Sequence, residues 1–250
     1  MSWVTRITRI EPNRIAVRGQ KVDELMGQFS FAQVVYLILK GELPSESHSR
    51  VVDAIMVASI DHGVTPPSAV TARSVASCGV PLTAALAAGV LSIGRHHGGA
   101  VEGCMKALMG AVDEARSKKL PLEDAARNLV KKLKEEKKRL PGFGHRIHTE
   151  DPRTRRLREL AAESGLKGPY LEITECLEKA LKESSGKELP LNVDGAIAAV
   201  LCEMDFPPAL GNAFFVIGRV PGLIAHIYEE TSTMKPMRTI VPSESQYEGP

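Results

Sequence analysis

The sequence predicts an all-α fold with a small β-hairpin at its N-terminus, organised as one domain over residues 1–250. Three observations carry this prediction. After residue 30 the chain divides into about ten stretches whose apolar residues recur at helical spacing. These stretches open at Ser, Asp or Pro and close at Gly or Pro, the residues that cap and stop helices. The joins between them are short, and 43% hydrophobic against 25% charged residues in a chain of 250 is enough apolar material for a buried core. That composition excludes a fibre or a disordered tail.

The elements follow in order. VTRITRI and RIAVRG are rich in β-branched residues and flank Glu11-Pro12-Asn13, turn chemistry that predicts the hairpin. SFAQVVYLILKGELP supplies Ser30 as N-cap and Gly41 with Pro44 as a stop, and SESHSRVVDAIMVASIDHG runs from a serine to Gly63 in the same way. PPSAVTARSVASCG, PLTAALAAGVLSIG and GGAVEGCMKALMGAVDEARSKK each lie between Pro or Gly residues. In LPLEDAARNLVKKLKEEKKR, Leu122, Ala126, Leu129, Val130 and Leu133 share one face, and the KKLKEEKKR run is the solvated one. DPRTRRLRELAAESG has Asp151 as N-cap and Pro152 at the first helical position. PYLEITECLEKALKESSG, NVDGAIAAVLCEMDF, PPALGNAFFVIGRV and PGLIAHIYEETS complete the set, the last two divided at Pro221. The Ala, Gly and Ser of residues 68–112 let helix backbones approach closely. Flat apolar faces of this kind pair with another subunit, so a helical homodimer is expected.

Lys plus Arg total 32 and Asp plus Glu 30, a formal charge of +2 that gives no electrostatic reason to expect nucleic acid as a partner. Cys78, Cys104, Cys176 and Cys202 are far apart and form no C-x-x-C pair, which argues against a disulfide framework or zinc knuckle and for a reducing cytoplasm. The opening MSWVTRITRIEPNR interleaves arginine with apolar residues and has no secretory h-region. From Ser74 to Gly94 there is no charge, about the length of a bilayer span. Gly79-Val80-Pro81 interrupts it, so two buried helices joined by a turn are expected there, and no membrane association.

Three histidines sit beside glycine at helix boundaries: His62 in D-H-G, His97 in R-H-H-G-G-A and His145 in P-G-F-G-H-R. Taken singly, each is accounted for as a partner of a helix C-terminus. Together they suggest a ligand brought close to backbone. Asp194, in L-N-V-D-G-A-I-A-A-V, reads either as a first-turn aspartate or as a general base at the mouth of a buried helix, where partial desolvation suits proton removal from carbon. Arg146 follows His145, Arg153 lies in Asp151-Pro152-Arg153, and Arg219 interrupts F-F-V-I-G-R-V-P-G-L-I. A guanidinium in an apolar helix calls for an anionic partner, and its fork binds carboxylate in two-pronged fashion. The sequence has no G-x-S-x-G elbow, Walker phosphate loop or H-E-x-x-H, and adjacent His96 and His97 point different ways in any regular element, so no metal is expected.

H-H-G-G-A, then P-G-F-G-H-R with D-P-R close behind, then N-V-D-G resembles the citrate synthase superfamily along nearly the whole chain. The resemblance implies a citrate synthase-like helical dimer that binds a di- or tricarboxylate together with a coenzyme A thioester as substrate, with no permanently bound cofactor. It implies that Asp194 is the acid/base at the acetyl carbon, that His97 hydrogen-bonds the thioester oxygen, and that His145 exchanges a proton with the hydroxyl or ketone oxygen. It assigns the carboxylates to His62, Arg146, Arg153 and Arg219, and CoA to Gly142, Phe143 and Gly144 with the basic Lys137, Lys138 and Arg139.

Two departures shape the functional expectation. Only about fifteen residues separate Pro44 from Asp61, where the family's synthases carry a longer helical segment, so part of that segment is lacking. The trimmed size resembles stand-alone citryl-CoA lyases and the matching domain of ATP-citrate lyase. It implies cleavage of citryl-CoA to acetyl-CoA and oxaloacetate. His97 favours the alternative of a minimal citrate or 2-methylcitrate synthase, because lyases of this pattern often carry an aromatic residue there. The family's Arg-Pro near the C-terminus appears as Val241-Pro242 with Arg238 nearby, which keeps open a CoA-binding homologue without turnover.

Overall fold

In the computed structural model, residues 3–94, 96–144, 151–238 and 245–250 are described. Two compact units are present, Met1–Ala58 with Ala100–Phe215, and Ser59–Gly99 with Val216–Pro250.

The first unit opens with strands β1 (Thr8–Glu11) and β2 (Arg14–Val17), antiparallel with Thr8 opposite Val17 and Glu11 opposite Arg14. Asn13 takes a left-handed conformation, φ 59°, in the turn between them. A two-residue strand, β3 (Gln20–Lys21), adds to β2, so the expected hairpin is the larger part of a three-stranded sheet. A short helix α1 (Val22–Leu25) leads to α2 (Phe31–Lys40). Ser30 caps α2 in a capping box with Gln33, and Gly41 closes it at φ 95°.

Helices α3 (Glu46–Ser59), α4 (Pro67–Ala76), α5 (Leu82–Leu91), α6 (Ala100–Lys118), α7 (Leu122–Glu135), α8 (Pro152–Glu163), α9 (Pro169–Ser185), α10 (Val193–Glu203) and α11 (Gly211–Thr233) follow the predicted order. Asp151 caps α8 by accepting from the Arg153 amide at 3.0 Å, with Pro152 at the first position. Ala125, Ala126 and Val130 of α7 are buried while Lys131, Lys132 and Lys134 are exposed, the amphipathic face read from the sequence.

α10 is the centre of the first unit. Every residue from Gly195 to Cys202 is buried, as befits a helix apolar on all sides, and α6, α8 and α9 pack around it. Phe206 stands edge-on to Tyr36 and to Phe214, with ring centroids 5.3 and 5.0 Å away. Glu203, at the end of α10, accepts from the Tyr170 and Leu171 amides and so caps α9.

In the second unit the uncharged stretch 74–94 resolves into the end of α4 and the whole of α5, joined by a turn through Gly79. The two helices approach closely: a side chain at Gly89 would sit 2.9 Å from Ala72 Cβ and 3.1 Å from the Ser68 carbonyl. Ala69, Ala72, Ala76 and Ala85 are buried with Leu223 and Ile227 of α11.

α11 corrects one expectation. The break at Pro221 is absent, and a single 23-residue helix carries the proline inside. Proline forfeits one helical hydrogen bond. Apolar packing on either side of it, through Phe214 before and Leu223 and Ile227 after, keeps the helix continuous. Beyond α11, Met237 and Arg238 donate backbone bonds to Ser77, and Arg238 and Arg73 both grip Glu230, whose side chain is 1% exposed.

Candidate active site

Within the first unit, the predicted glycine loop packs against the start of α10. Gly142 adopts φ +83°, and a side chain there would meet Gly195 Cα at 2.7 Å and Cys104 Sγ at 2.8 Å, so only glycine fits. Phe143 and Leu191 form an antiparallel bridge, and Gly144 N–H donates to the Pro190 carbonyl at 2.7 Å. Asn192 donates its backbone N–H to Gly142 O at 3.0 Å and its Nδ2 to Gly144 O at 2.9 Å. Asp194 therefore sits half-buried in the first turn of α10, beside this loop and between the buried Val193 and Gly195.

Cys104 and Cys202 lie in the same core. Burial pushes both thiols up, Cys202 to about 12, so they stay protonated and inert.

A cavity of about 670 Å³ opens beside the loop. Lys138, Arg139, Phe143 and Gly144, all predicted, line it together with Lys134, Lys187 and the apolar Leu133, Leu140 and Leu189. No Asp or Glu lines it among the described residues. Four cations around a cavity with an aromatic ring and leucines suit a ligand that carries several negative charges and an apolar or planar portion. Lys134 and Lys187 were missed by sequence reasoning. Lys187 follows Gly186, which caps α9 with φ 68°, and a cation next to a glycine-capped helix end was the available signal.

Arg153 faces its own N-cap. Its Nε and Nη2 donate to the two carboxylate oxygens of Asp151 at 3.0 and 2.8 Å, a bidentate pair in which Asp151 is 1% exposed. His145 and Arg146 lie outside the described residues.

In the second unit, one face of α11 cradles the turn that presents His62. Arg219, 2% exposed, donates Nε–H to the Ser59 carbonyl at 2.8 Å. Three residues on, Gly222 lies under the Ile60 carbonyl, where a side chain would collide. Four residues further, His226 Nε2 meets Asp61 Oδ1 at 2.9 Å, while Asp61 Oδ2 accepts from the Gly63 N–H at 2.8 Å. Positions 219, 222 and 226 share a helical stripe, so one face holds residues 59–63 and leaves His62 exposed. Burial works against the Asp61 carboxylate, but the Gly63 and His62 amides and His226 outweigh it and hold it below its ordinary range.

His97 sits in a tight turn in which it exchanges two backbone hydrogen bonds with Gly94. Its Nε2 lies 2.8 Å from the Oγ of Ser68, a fully buried serine in the first turn of α4. Either atom of that pair can supply the hydrogen, the tautomer of the imidazole deciding which, and in both cases the bond fixes the ring's orientation. Burial, and after it the Arg219 charge, lowers the His97 pKa and favours the neutral ring. Within the second unit Arg219 is near enough to His97 to lower its pKa and also holds the turn that carries His62, and within the first Asp194 lies in the helix turn packed on the glycine loop, whose Phe143 and Gly144 line the cationic cavity.

The family described as citrate synthase, C-terminal domain, matches residues 44–240. Putative citrate synthase 2 of Mycobacterium tuberculosis is 34% identical over 215 residues, which cover 83% of this chain and 53% of that protein. The chain thus spans about half the length of the curated relatives it matches. Among solved structures, citryl-CoA lyase from Hydrogenobacter thermophilus is 45% identical with a TM-score of 0.89, covering 99% of this chain and 95% of that one. Methanosaeta concilii ATP citrate lyase in complex with (3S)-citryl-CoA shares the fold at a TM-score of 0.85 and 22% identity, over 100% of this chain and 42% of that one. With the motifs, the helical order and a family match over most of its length, this chain belongs to the citrate synthase family.

Proposed function

We propose that the protein is a citryl-CoA lyase that cleaves citryl-CoA to acetyl-CoA and oxaloacetate. The observation that carries this reading is the nearly end-to-end match, at 45% identity, with a citryl-CoA lyase of almost the same size. In the proposed reaction His145 takes the proton of the tertiary hydroxyl as that oxygen becomes the oxaloacetate ketone. The bond between the carbinol carbon and the acetyl methylene breaks, and its electron pair passes into the thioester enolate. The neutral His97 donates a hydrogen bond to the enolate oxygen, stabilising charge where it develops. Asp194, in its protonated form in this direction, delivers a proton to carbon and so makes the acetyl methyl group.

His62, Arg146, Arg153 and Arg219 hold the carboxylates, and Gly142, Phe143, Gly144, Lys138 and Arg139 receive CoA. What supports the CoA assignment is the cationic cavity, to which Lys134 and Lys187 are added: phosphates suit the cations, and adenine and pantetheine suit Phe143 and the leucines. The proposal extends to a homodimer in the cytoplasm with no resident cofactor. Exposed apolar side chains on the second unit, among them Val70, Leu82, Leu91 and Ile224, support self-association.

A second reading, a minimal citrate or 2-methylcitrate synthase, is favoured by His97 with its Ser68 partner and by the 34% identity to putative citrate synthase 2. Purified protein given citryl-CoA should release oxaloacetate, followed through a coupled dehydrogenase. Given acetyl-CoA or propionyl-CoA with oxaloacetate, a lyase releases little free thiol and a synthase releases it continuously.

A further inference from the structure

We propose that Asn192 is a positioning residue that locks the CoA loop to the helix bearing Asp194, an inference that rests on the reading of Gly142–Gly144 as the loop that receives CoA. Its Oδ1 accepts from the backbone amides of Asp194 and Gly195 at 3.1 and 3.2 Å, capping α10. Its Nδ2 donates to Gly144 O at 2.9 Å, and its backbone N–H donates to Gly142 O at 3.0 Å. One residue thus holds both glycine carbonyls of the loop and the amide of Asp194 itself.

The side-chain orientation follows from the network. Flipping the amide would aim its NH₂ at two N–H groups and its oxygen at a carbonyl, losing all three bonds. A helix cap alone needs only an acceptor, which Ser or Asp supplies as well as Asn. Asparagine adds a donor with the reach to hold Gly144. The preceding residue is fixed too: Leu191 N–H donates to Glu178 Oε1 at 2.7 Å, and Glu178 is paired with Arg158 at 3.0 Å. With Gly142 and Gly195 in direct backbone contact, a displacement of the loop and a displacement of the Asp194 turn become one motion.

Three variants separate positioning from capping. Asn192→Ser and Asn192→Asp keep the cap acceptor and lose the bond to Gly144, and Asn192→Ala loses both. Calorimetric titration with coenzyme A reads the loop without any need for turnover, and thermal unfolding reads the cap. The Ser and Asp variants should unfold close to wild type yet bind CoA about fivefold or more weakly. They should raise KM for citryl-CoA with kcat held within about twofold, and the Ala variant should lower stability as well. CoA binding at wild-type strength in the Ser variant overturns the proposal, including the case in which only the Asp variant weakens, which marks a charge effect. If the wild type binds CoA but does not cleave citryl-CoA, the lyase reading fails while weakened binding in the Ser variant still upholds the role of Asn192. A wild type that does not bind CoA overturns both.

Discussion

Asp194 stands half-buried at the mouth of an apolar helix, with its backbone amide held by Asn192. Asp194→Asn keeps the shape and removes the proton, so kcat should fall by about 10²–10⁴-fold while CoA affinity stays at the wild-type level. Steady-state rates with calorimetry check this, and an unchanged rate would remove the assigned role. His97 carries a second prediction. Its neutral form is favoured by burial, so its NMR titration should fall at a lower pH than that of a histidine in open water. The unfolded chain then takes up the proton first on acidification. The stability linked to His97 is therefore present above the ordinary histidine range and lost as pH falls through it to the lower folded value. A midpoint at or above the ordinary range contradicts this environment. His62, His97, Asp194 and Arg219 stood out in the sequence as candidates because glycine neighbours or an apolar frame make a polar residue conspicuous. Asn192 did not, since its bond to Gly144 joins residues 48 apart and no local pattern encodes that meeting.

At the scale of elements, caps and stops were the most readable signals. Ser30, Gly41, Asp151 with Pro152, and Gly186 bound their helices as local rules require. Pro221 was read as a boundary because the rule for proline is local, whereas the continuity of α11 comes from tertiary burial on both sides. The stripe of Arg219, Gly222 and His226 gives a prediction for that helix. Gly222→Ala gains helix propensity but drives a methyl group into the Ile60 carbonyl, and should cost about 1–3 kcal/mol in denaturant unfolding. A more stable variant would show that the turn at 59–63 is not clasped as described. On the other unit, Lys187→Glu places a carboxylate in the cationic cavity. It should weaken CoA binding by tenfold or more, on the order of 1.4 kcal/mol, with unfolding unaffected, and added salt should narrow the gap. Equal affinities would move CoA elsewhere.

For the whole molecule, the match to a citryl-CoA lyase along 99% of the chain supports the proposed cleavage, and the exposed apolar residues of the second unit support the proposed self-association. Light scattering of the purified chain should return the mass of a dimer, and a monomer at micromolar concentration would refute that association. Carbon–carbon cleavage of citryl-CoA is tested by one assay: citryl-CoA with purified protein, oxaloacetate and free thiol followed in parallel. A citryl-CoA lyase forms oxaloacetate rapidly, matched by acetyl-CoA, with little thiol released. Thiol release without oxaloacetate, or no reaction of citryl-CoA at all, would contradict that cleavage.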